Sequence, residues 1–203
     1  MPDQSLAFLK KEAELQREAE QTGQEFFWIW ETSSPTVVLG RSGKIEAEVN
    51  SAACEQDHVP VVRRESGGGA VVLASGCFNY TLVLNLEQRP QLREVERSYE
   101  LILQSVIRAA REPAMLPIGG DLTIMGKKFG GSSQKRSRTT LLHHGTILQN
   151  LDLSLVSRYL REPPRSPAYR EGRSHPDFLT NVPLSAGFSE RFAAEYPGAQ
   201  VVK

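Results

Sequence analysis

Two periods of apolar residues alternate along this chain. Short runs rich in Val, Ile, Leu, Phe and Trp read as strands at residues 25–30, 36–40, 59–62, 70–73, 79–85, 121–125 and 141–148. Between them lie stretches with helical spacing. Residues 5–21 place Leu6, Leu9 and Ala13 on one stripe, end at Gly23, and predict a helix on the rim of a sheet. A second, short helix is expected at 46–57. The strongest pattern is 92–111, where Val95, Tyr99, Ile102, Val106 and Ala110 recur at i, i+4, i+7 and Leu103 and Ile107 widen the stripe. Two further helices are expected, at 153–160 and near 188–196. Segments 126–134 and 141–148 pair as a hairpin, which sets a lysine, serines and histidines on one sheet. Residues 163–183, rich in Pro, Arg and Ser, read as an ordered loop or lid. Strands outnumber crossover helices, and short turns join several of them. The expected class is therefore α+β, with a mixed, largely antiparallel sheet flanked by helices.

Composition narrows the function classes. With 203 residues the simplest organisation is one domain over 1–203 with a sizeable core. The 24 basic and 24 acidic side chains cancel, so net charge gives no case for nucleic acid or an anionic membrane as partner. No apolar run approaches the roughly 20 residues of a membrane span, and no secretory signal is visible at Met1–Ser5. Cys54 and Cys77 have neither metal-ligand nor disulfide spacing, which predicts packed thiols in a reducing, cytoplasmic compartment.

The candidate chemistry gathers at a glycine loop. Arg63-Arg64-Glu65-Ser66-Gly67-Gly68-Gly69 lies between two of the strand-like runs. Glycines let backbone amides converge on an anion, and arginines suit phosphate or carboxylate. A solvated glycine-rich hairpin is the alternative reading. Downstream come Asn79-Tyr80-Thr81, then Gly119-Gly120-Asp121-Leu122. Gly126-Lys127-Lys128-Phe129-Gly130-Gly131-Ser132-Ser133-Gln134 and His143-His144-Gly145-Thr146-Ile147-Leu148 follow. In this order and spacing, the pieces resemble the lipoate–protein ligase A branch of the biotin/lipoate A/B protein ligase family. The resemblance covers roughly three-quarters of the chain.

The resemblance implies a catalytic domain that activates lipoic acid, or octanoate, with ATP and passes the acyl group to a lysine of a lipoyl carrier domain protein. It implies Lys128 as the catalytic lysine between acyl carbonyl and α-phosphate, with Lys127 facing solvent. Arg64, Ser66, Gly67, Gly68, Gly69, Asn79, Ser132, Ser133, His144, Gly145 and Thr146 become the nucleotide and acyl-adenylate set, with Arg64 on phosphate. Asp121 becomes a ligand of Mg²⁺, which takes carboxylate and phosphate oxygens. Arg63 is a candidate partner for an acidic side chain, and Val37, Leu39, Val72, Tyr80 and Leu82 are candidates for the apolar acyl tunnel.

Three departures qualify the carry-over. Residues 72–76 lack the histidine that many relatives carry after the loop. The second half has no cysteine for the thioester route of the family's transferases, and Cys77 is not at their nucleophile position. This favours ATP-dependent ligation over an octanoyl or lipoyl transferase working from an acyl carrier. A non-catalytic lipoyl-binding module would not need Lys128. The chain stops at Lys203 without the C-terminal accessory domain of many such ligases, which raises the expectation of a separate accessory protein. Residues 169–176 are candidates to dock an acidic carrier or close over the site, with a solvated basic loop as the plainer reading.

Overall fold

The computed structural model describes residues 6–202. Its centre is a seven-stranded sheet in the order β10-β1-β5-β9-β8-β7-β6. The strands are β1 (Phe26–Trp30), β5 (Cys77–Asn85), β6 (Met115–Ile118), β7 (Asp121–Ile124), β8 (Lys127–Arg136), β9 (Thr140–Leu148) and β10 (Gln200–Val202). All neighbours are antiparallel except β1 and β10. A second sheet holds β2 (Thr36–Leu39) between β3 (Val61–Arg63) and β4 (Val71–Leu73). β6 and β10, too short and too interrupted by Pro and polar residues for a period-2 signal, were not among the strands expected from sequence.

Alternation along β5 and β9 explains the two faces of the large sheet. Phe78, Tyr80, Leu82 and Leu84 face the main core with Leu141 and Ile147. That core is closed by Ile102, Leu103 and Val106 of α4 (Val95–Ala110) and by Phe188 and Phe192 of α7 (Phe188–Ala194). α4 begins where Glu94 accepts from the Glu96 and Arg97 amides, a side-chain cap that shortens the expected 92–111 helix at its start. On the opposite face, Asn79 and Thr81 meet His144 and Thr146, and this polar strip is where the two sheets and the first helix come together.

That helix, α1 (Ala7–Thr22), corrects two expectations. It lies across the centre of the sheet, against β5 and β9, instead of on its rim. Its buried residues are Glu12, Leu15, Gln16 and Ala19, while Leu6 is exposed. Two polar side chains thus sit on the inward stripe, which is why counting only apolar positions picked the wrong face. The expected helix at 46–57 is two short ones, α2 (Ile45–Glu48) and α3 (Ser51–Gln56), interrupted where Val49 bridges to Leu160. β3 and β4 do not form a hairpin. β2 lies between them, parallel to β3 and antiparallel to β4, so the glycine loop crosses the end of β2. Helix α5 (Ser154–Tyr159) packs on α3 near the expected position.

Candidate active site

A cleft of about 360 Å³ opens between the sheets, within the size range of small-molecule sites. One end is apolar, lined by Phe8, Leu9, Trp30, Val38, Val71 and Leu73; the other carries Lys128, Asp121, Arg161, Arg165 and Arg170. Of the residues expected at the site, Arg64, Gly68, Gly69, Asp121, Lys128, Ser132, Ser133, His144, Gly145 and Thr146 line it. Ser66 and Asn79 are buried behind the lining, and Gly67 is exposed on the loop beside it. Of the candidates for an acyl tunnel, only Val72 borders the cleft. Tyr80 and Leu82 point into the main core on the far face, and Val37 and Leu39 pack with Val49 and Cys54. Period 2 decides this: β5 residues of even number face away from the cleft.

The loop's geometry follows from where its carbonyls go. Arg64 is buried and donates through Nε to Ser66 Oγ (3.0 Å), through Nη1 to Val38 O (3.1 Å), and through Nη2 to Gly67 O (2.6 Å) and Gly69 O (2.9 Å). Ser133 Oγ donates to Gly67 O (2.8 Å), and the Arg41 amide donates to Ser66 O (2.8 Å). With its carbonyls held inward, the loop leaves the exposed amides of Gly67, Gly68 and Gly69 without an acceptor among the described residues. Gly68 has φ +88°, open to glycine at little cost. The arrangement is an anion cradle of backbone N–H groups. Arg64, expected on phosphate, spends four of its five N–H donors on the loop and Val38, and so staples the cradle in shape while lining the cleft. Burial lowers its guanidinium to about 10, still charged at neutral pH. Arg63 donates to the Gly40, Arg41 and Gly43 carbonyls and not to an acidic side chain.

Lys128 reaches the cleft because of a β-bulge. Leu122 opposes Gly130 and Thr123 opposes Lys128, so Phe129 is an extra residue on β8. The bulge turns Phe129 into the main core and Lys128 onto the cleft face, while Lys127 stays exposed. Lys128 Nζ lies 2.6 Å from Asp121 Oδ1. The other oxygen, Oδ2, accepts from Tyr169 Oη (2.7 Å). Both Asp121 oxygens are therefore engaged, and no group of three or more His, Cys, Asp or Glu among the described residues is arranged to hold a metal ion. Lys128 and Tyr169 use two of the roughly four acceptor sites of this carboxylate, so Asp121 keeps acceptor capacity for the expected Mg²⁺, while the Lys128 charge beside it opposes a cation there. The nearest other lining carboxylate, Glu48, already accepts from the Ala70 amide (2.7 Å) and the Lys44 amide (3.1 Å).

Tyr169 belongs to the 163–183 segment, which lies over the cleft instead of extending into solvent. Pro163, Arg165, Pro167, Arg170, His175, Phe178 and Leu179 all border the cavity. The Thr180 amide donates to Lys128 O (2.9 Å), and Arg170 is buried against Glu162. Burial and the Asp121 charge push the Tyr169 phenol well above its ordinary value, so it donates at neutral pH. The sequence signal for this segment was its proline and arginine content, which suggested a lid without locating it.

The remaining polar groups divide cleanly. Thr146 Oγ1 donates to Asn79 Oδ1 (2.8 Å), while the buried Asn79 Nδ2 has no partner among the described residues. Ser132 Oγ is occupied by Gly120 O (2.8 Å). His144 spans Ser66 Oγ (2.7 Å) and Glu12 Oε1 (2.8 Å), and Glu12 was missed because a lone glutamate in a Glu-rich helix reads as solvated. His143 faces the main core, stacks on Tyr80, and is held neutral by burial, its pKa lowered to about 3. Cys54 and Cys77 are buried and unpaired, and burial pushes both thiols up, away from the thiolate a nucleophile needs.

Residues 5–187 match the model of the lipoyl protein ligase A/B catalytic domain. The chain belongs to this family. It is 34% identical over 136 residues to a probable lipoate-protein ligase A of Mycoplasma pneumoniae, a match covering 66% of this chain and 39% of that protein. It is also 34% identical over 134 residues to a putative lipoate-protein ligase A of Schizosaccharomyces pombe, covering 65% and 36%. The chain thus spans well under half the length of these relatives. Among solved structures, it superposes with TM-score 0.80 and 17% identity on a chain from the archaeal lipoylation system of Thermoplasma acidophilum, described as a bi-partite lipoate protein ligase and its E2 lipoyl domain. That match covers 100% of this chain and 84% of the other. A lipoate-protein ligase A bound with ATP gives TM-score 0.75 at 16% identity, covering 99% and 85%. At these identities the likeness establishes the catalytic-domain fold. No helix among the described residues is long and apolar enough to cross a membrane.

Proposed function

We propose that this catalytic domain joins lipoic acid to a lysine of a lipoyl carrier domain in two steps, the first of which consumes ATP. A lipoate carboxylate oxygen attacks the α-phosphorus of ATP, the bond to pyrophosphate breaks, and lipoyl-AMP forms. The carrier amine then attacks the acyl carbon, the acyl–oxygen bond breaks, AMP leaves with the electron pair, and the amine proton passes to solvent. The observation that carries this reading is that Lys128 and the free amides of Gly68 and Gly69 line one cleft together with a cluster of apolar side chains. Bringing two anions together needs charge and donors fixed in advance where charge builds up. The amides of Gly67, Gly68 and Gly69 serve the phosphate, and Lys128 follows the charge from carboxylate to phosphate as a compact, mobile cation. Trp30, Phe8, Leu9, Val38, Val71 and Leu73 provide the dry surface for the acyl chain. The raised, buried thiols of Cys54 and Cys77 speak against a cysteine thioester, and hence against transfer without ATP.

The test is incubation of the purified chain with lipoate and a lipoyl carrier domain, with and without ATP, read by pyrophosphate release and carrier mass. Release of pyrophosphate with a lipoyl mass shift only when ATP is present is expected. Lys128→Ala lowers adenylate formation by about 10²–10³-fold, the scale of losing one preorganised donor, with thermal unfolding unchanged. Adenylate at the normal rate in that variant refutes the assignment of Lys128. Pyrophosphate release without carrier modification assigns the second step to a further protein.

A further inference from the structure

Ser66 and His144 were singled out from sequence one at a time, and a third residue, Glu12, joins them. Trp30 Nε1 donates to Thr81 Oγ1 (3.2 Å), and Thr81 Oγ1 donates to Glu12 Oε1 (2.7 Å). The same carboxyl oxygen lies 2.8 Å from His144 Nδ1, and His144 Nε2 lies 2.7 Å from Ser66 Oγ. Ser66 Oγ accepts in turn from Arg64 Nε (3.0 Å). One proton assignment satisfies every neutral partner. Glu12 Oε1 accepts, so His144 carries its proton on Nδ1, and its Nε2 lone pair takes the Ser66 hydroxyl proton. The chain of bonds runs from the apolar end of the cleft to the glycine cradle, with Glu12, Thr81 and Ser66 all buried.

We infer that Glu12 is a positioning residue for the glycine cradle, acting through the His144 tautomer and the Ser66 hydroxyl. Glu12 sets the orientation of the imidazole, the imidazole sets the Ser66 rotamer, and Ser66 with Arg64 turns the Gly67 and Gly69 carbonyls away from the cleft. The amides then face the ligand without further ordering. A serine–histidine–acid group of this shape resembles a nucleophilic triad, but Ser66 is 2% exposed and lies behind the cleft lining. Arg64 Nε also donates to Oγ, and at this burial no acyl carbon can reach it. The group therefore holds the loop in shape.

The catalytic readout of this inference rests on the proposed ligase function; two other readouts need no substrate. Long-range ¹H–¹⁵N spectra of the imidazole are expected to show His144 protonated at Nδ1, and the Nε2-protonated tautomer overturns the inference. Amide exchange is then compared at Arg41, Arg64 and Ala70, whose N–H groups anchor the loop to Ser66 O, Leu39 O and Glu48 Oε2. Glu12→Ala and Ser66→Ala should each speed these sites by about fivefold or more while β5 amides stay protected. Glu12→Gln keeps the acceptor and should stay within about twofold of the native chain. Unchanged exchange in Glu12→Ala overturns the inference, as does equal loosening in Glu12→Gln. If Glu12→Ala loosens the whole sheet, Ser66→Ala and Glu12→Gln decide it on the same sites. In the ligase assay, Glu12→Ala should lower kcat about ten- to a hundredfold, as a misplaced site does, with KM for lipoate little changed. A native chain that makes no adenylate refutes the ligase reading and leaves the tautomer and exchange results standing.

Discussion

Gly40→Ala tests whether the shape of the glycine cradle, and not merely its composition, drives the chemistry. Gly40 ends β2 directly beneath the loop. A Cβ built there would lie 1.9 Å from Gly68 O and 3.0 Å from the Gly68 carbonyl carbon. Contacts between carbon and oxygen settle near 3.3 Å, so the Gly68 peptide must move outward by roughly 1.4 Å. Gly40 itself does not need positive φ, so the added methyl acts by contact alone. The displaced peptide lies between the two carbonyls that Arg64 holds, so the free amides swing off the position they share with Lys128. A misplacement of about 1 Å in a preorganised site costs on the order of 10²-fold in rate. Overpacking costs about 1–3 kcal/mol, but here an exposed loop absorbs the strain, which puts the loss at the low end. The assay is pyrophosphate release from lipoate and ATP, set beside a thermal melt. Activity should fall by about 10²-fold while Tm drops by only about 2–4 °C. Native activity in a folded Gly40→Ala chain would refute the cradle.

Two further outcomes bear on other parts of the fold. His143 binds a proton in the native state only near pH 3, against an ordinary value of 6.5, because burial and then His144 oppose its charge. Unfolding at pH 5 therefore takes up a proton, and stability is present above pH 6.5 and drains away as pH falls. At 1.4 kcal/mol per pH unit the loss by pH 5 is about 2 kcal/mol, read as the gap between urea midpoints at pH 7 and pH 5. His143→Phe should shrink that gap by about the same 2 kcal/mol, and an unchanged gap assigns the acid sensitivity elsewhere. Tyr169→Phe removes the bond to Asp121 but keeps the ring against Phe178, at 5.2 Å between centroids. A hydrogen bond to a charged group contributes about 1.5 kcal/mol, so tryptic cleavage at Arg165 and Arg173 should quicken about tenfold. Equal cleavage rates would show that the segment is held by packing alone.

The parts of this molecule that are legible in its sequence are those governed by one period at a time. β5 carries clean alternation and α4 a clean helical stripe, and the lysine and histidine segments, joined by a short basic loop, pair as the expected hairpin. What escaped depends on interactions between segments. The interior stripe of α1 holds Glu12 and Gln16, which no hydrophobic count assigns to a buried face, yet Glu12 is buried because Thr81 and His144 wait for it across the sheet. Arg64 reads as a phosphate ligand because an arginine beside glycines usually is one. Its actual partners, the Val38, Gly67 and Gly69 carbonyls, exist only once β2 separates β3 from β4. The phase of Lys128 is likewise invisible without the bulge at Phe129: strict alternation from the cleft-facing Gly131 would send residue 128 to the core.

Net charge is silent about the cleft for a related reason. The chain is neutral overall, yet Arg161, Arg165, Arg170 and Lys128 converge on one end of the cleft against Asp121 and Glu48. Equal totals say nothing about the local field, which low-dielectric walls concentrate inside a cleft. Not all of this charge is available to a ligand. Arg170 is spent on Glu162 and the Arg173 carbonyl, and Arg161 is anchored through Nε to Val49 O. Lys128 differs, because its single partner among the described residues is Asp121, itself shared with Tyr169. An incoming phosphate must draw Lys128 from Asp121, and the aspartate then keeps the tyrosine. The exchange swaps one charge-assisted bond for another, so the net cost of recruiting the lysine is small. The Asp121 pairing also holds the ammonium near the cradle before any ligand arrives, which lowers the entropy lost when the flexible side chain is fixed. In the ligase proposed above, Asp121 is thereby the resting partner of Lys128, a role that follows from a carboxylate opposite the bulge.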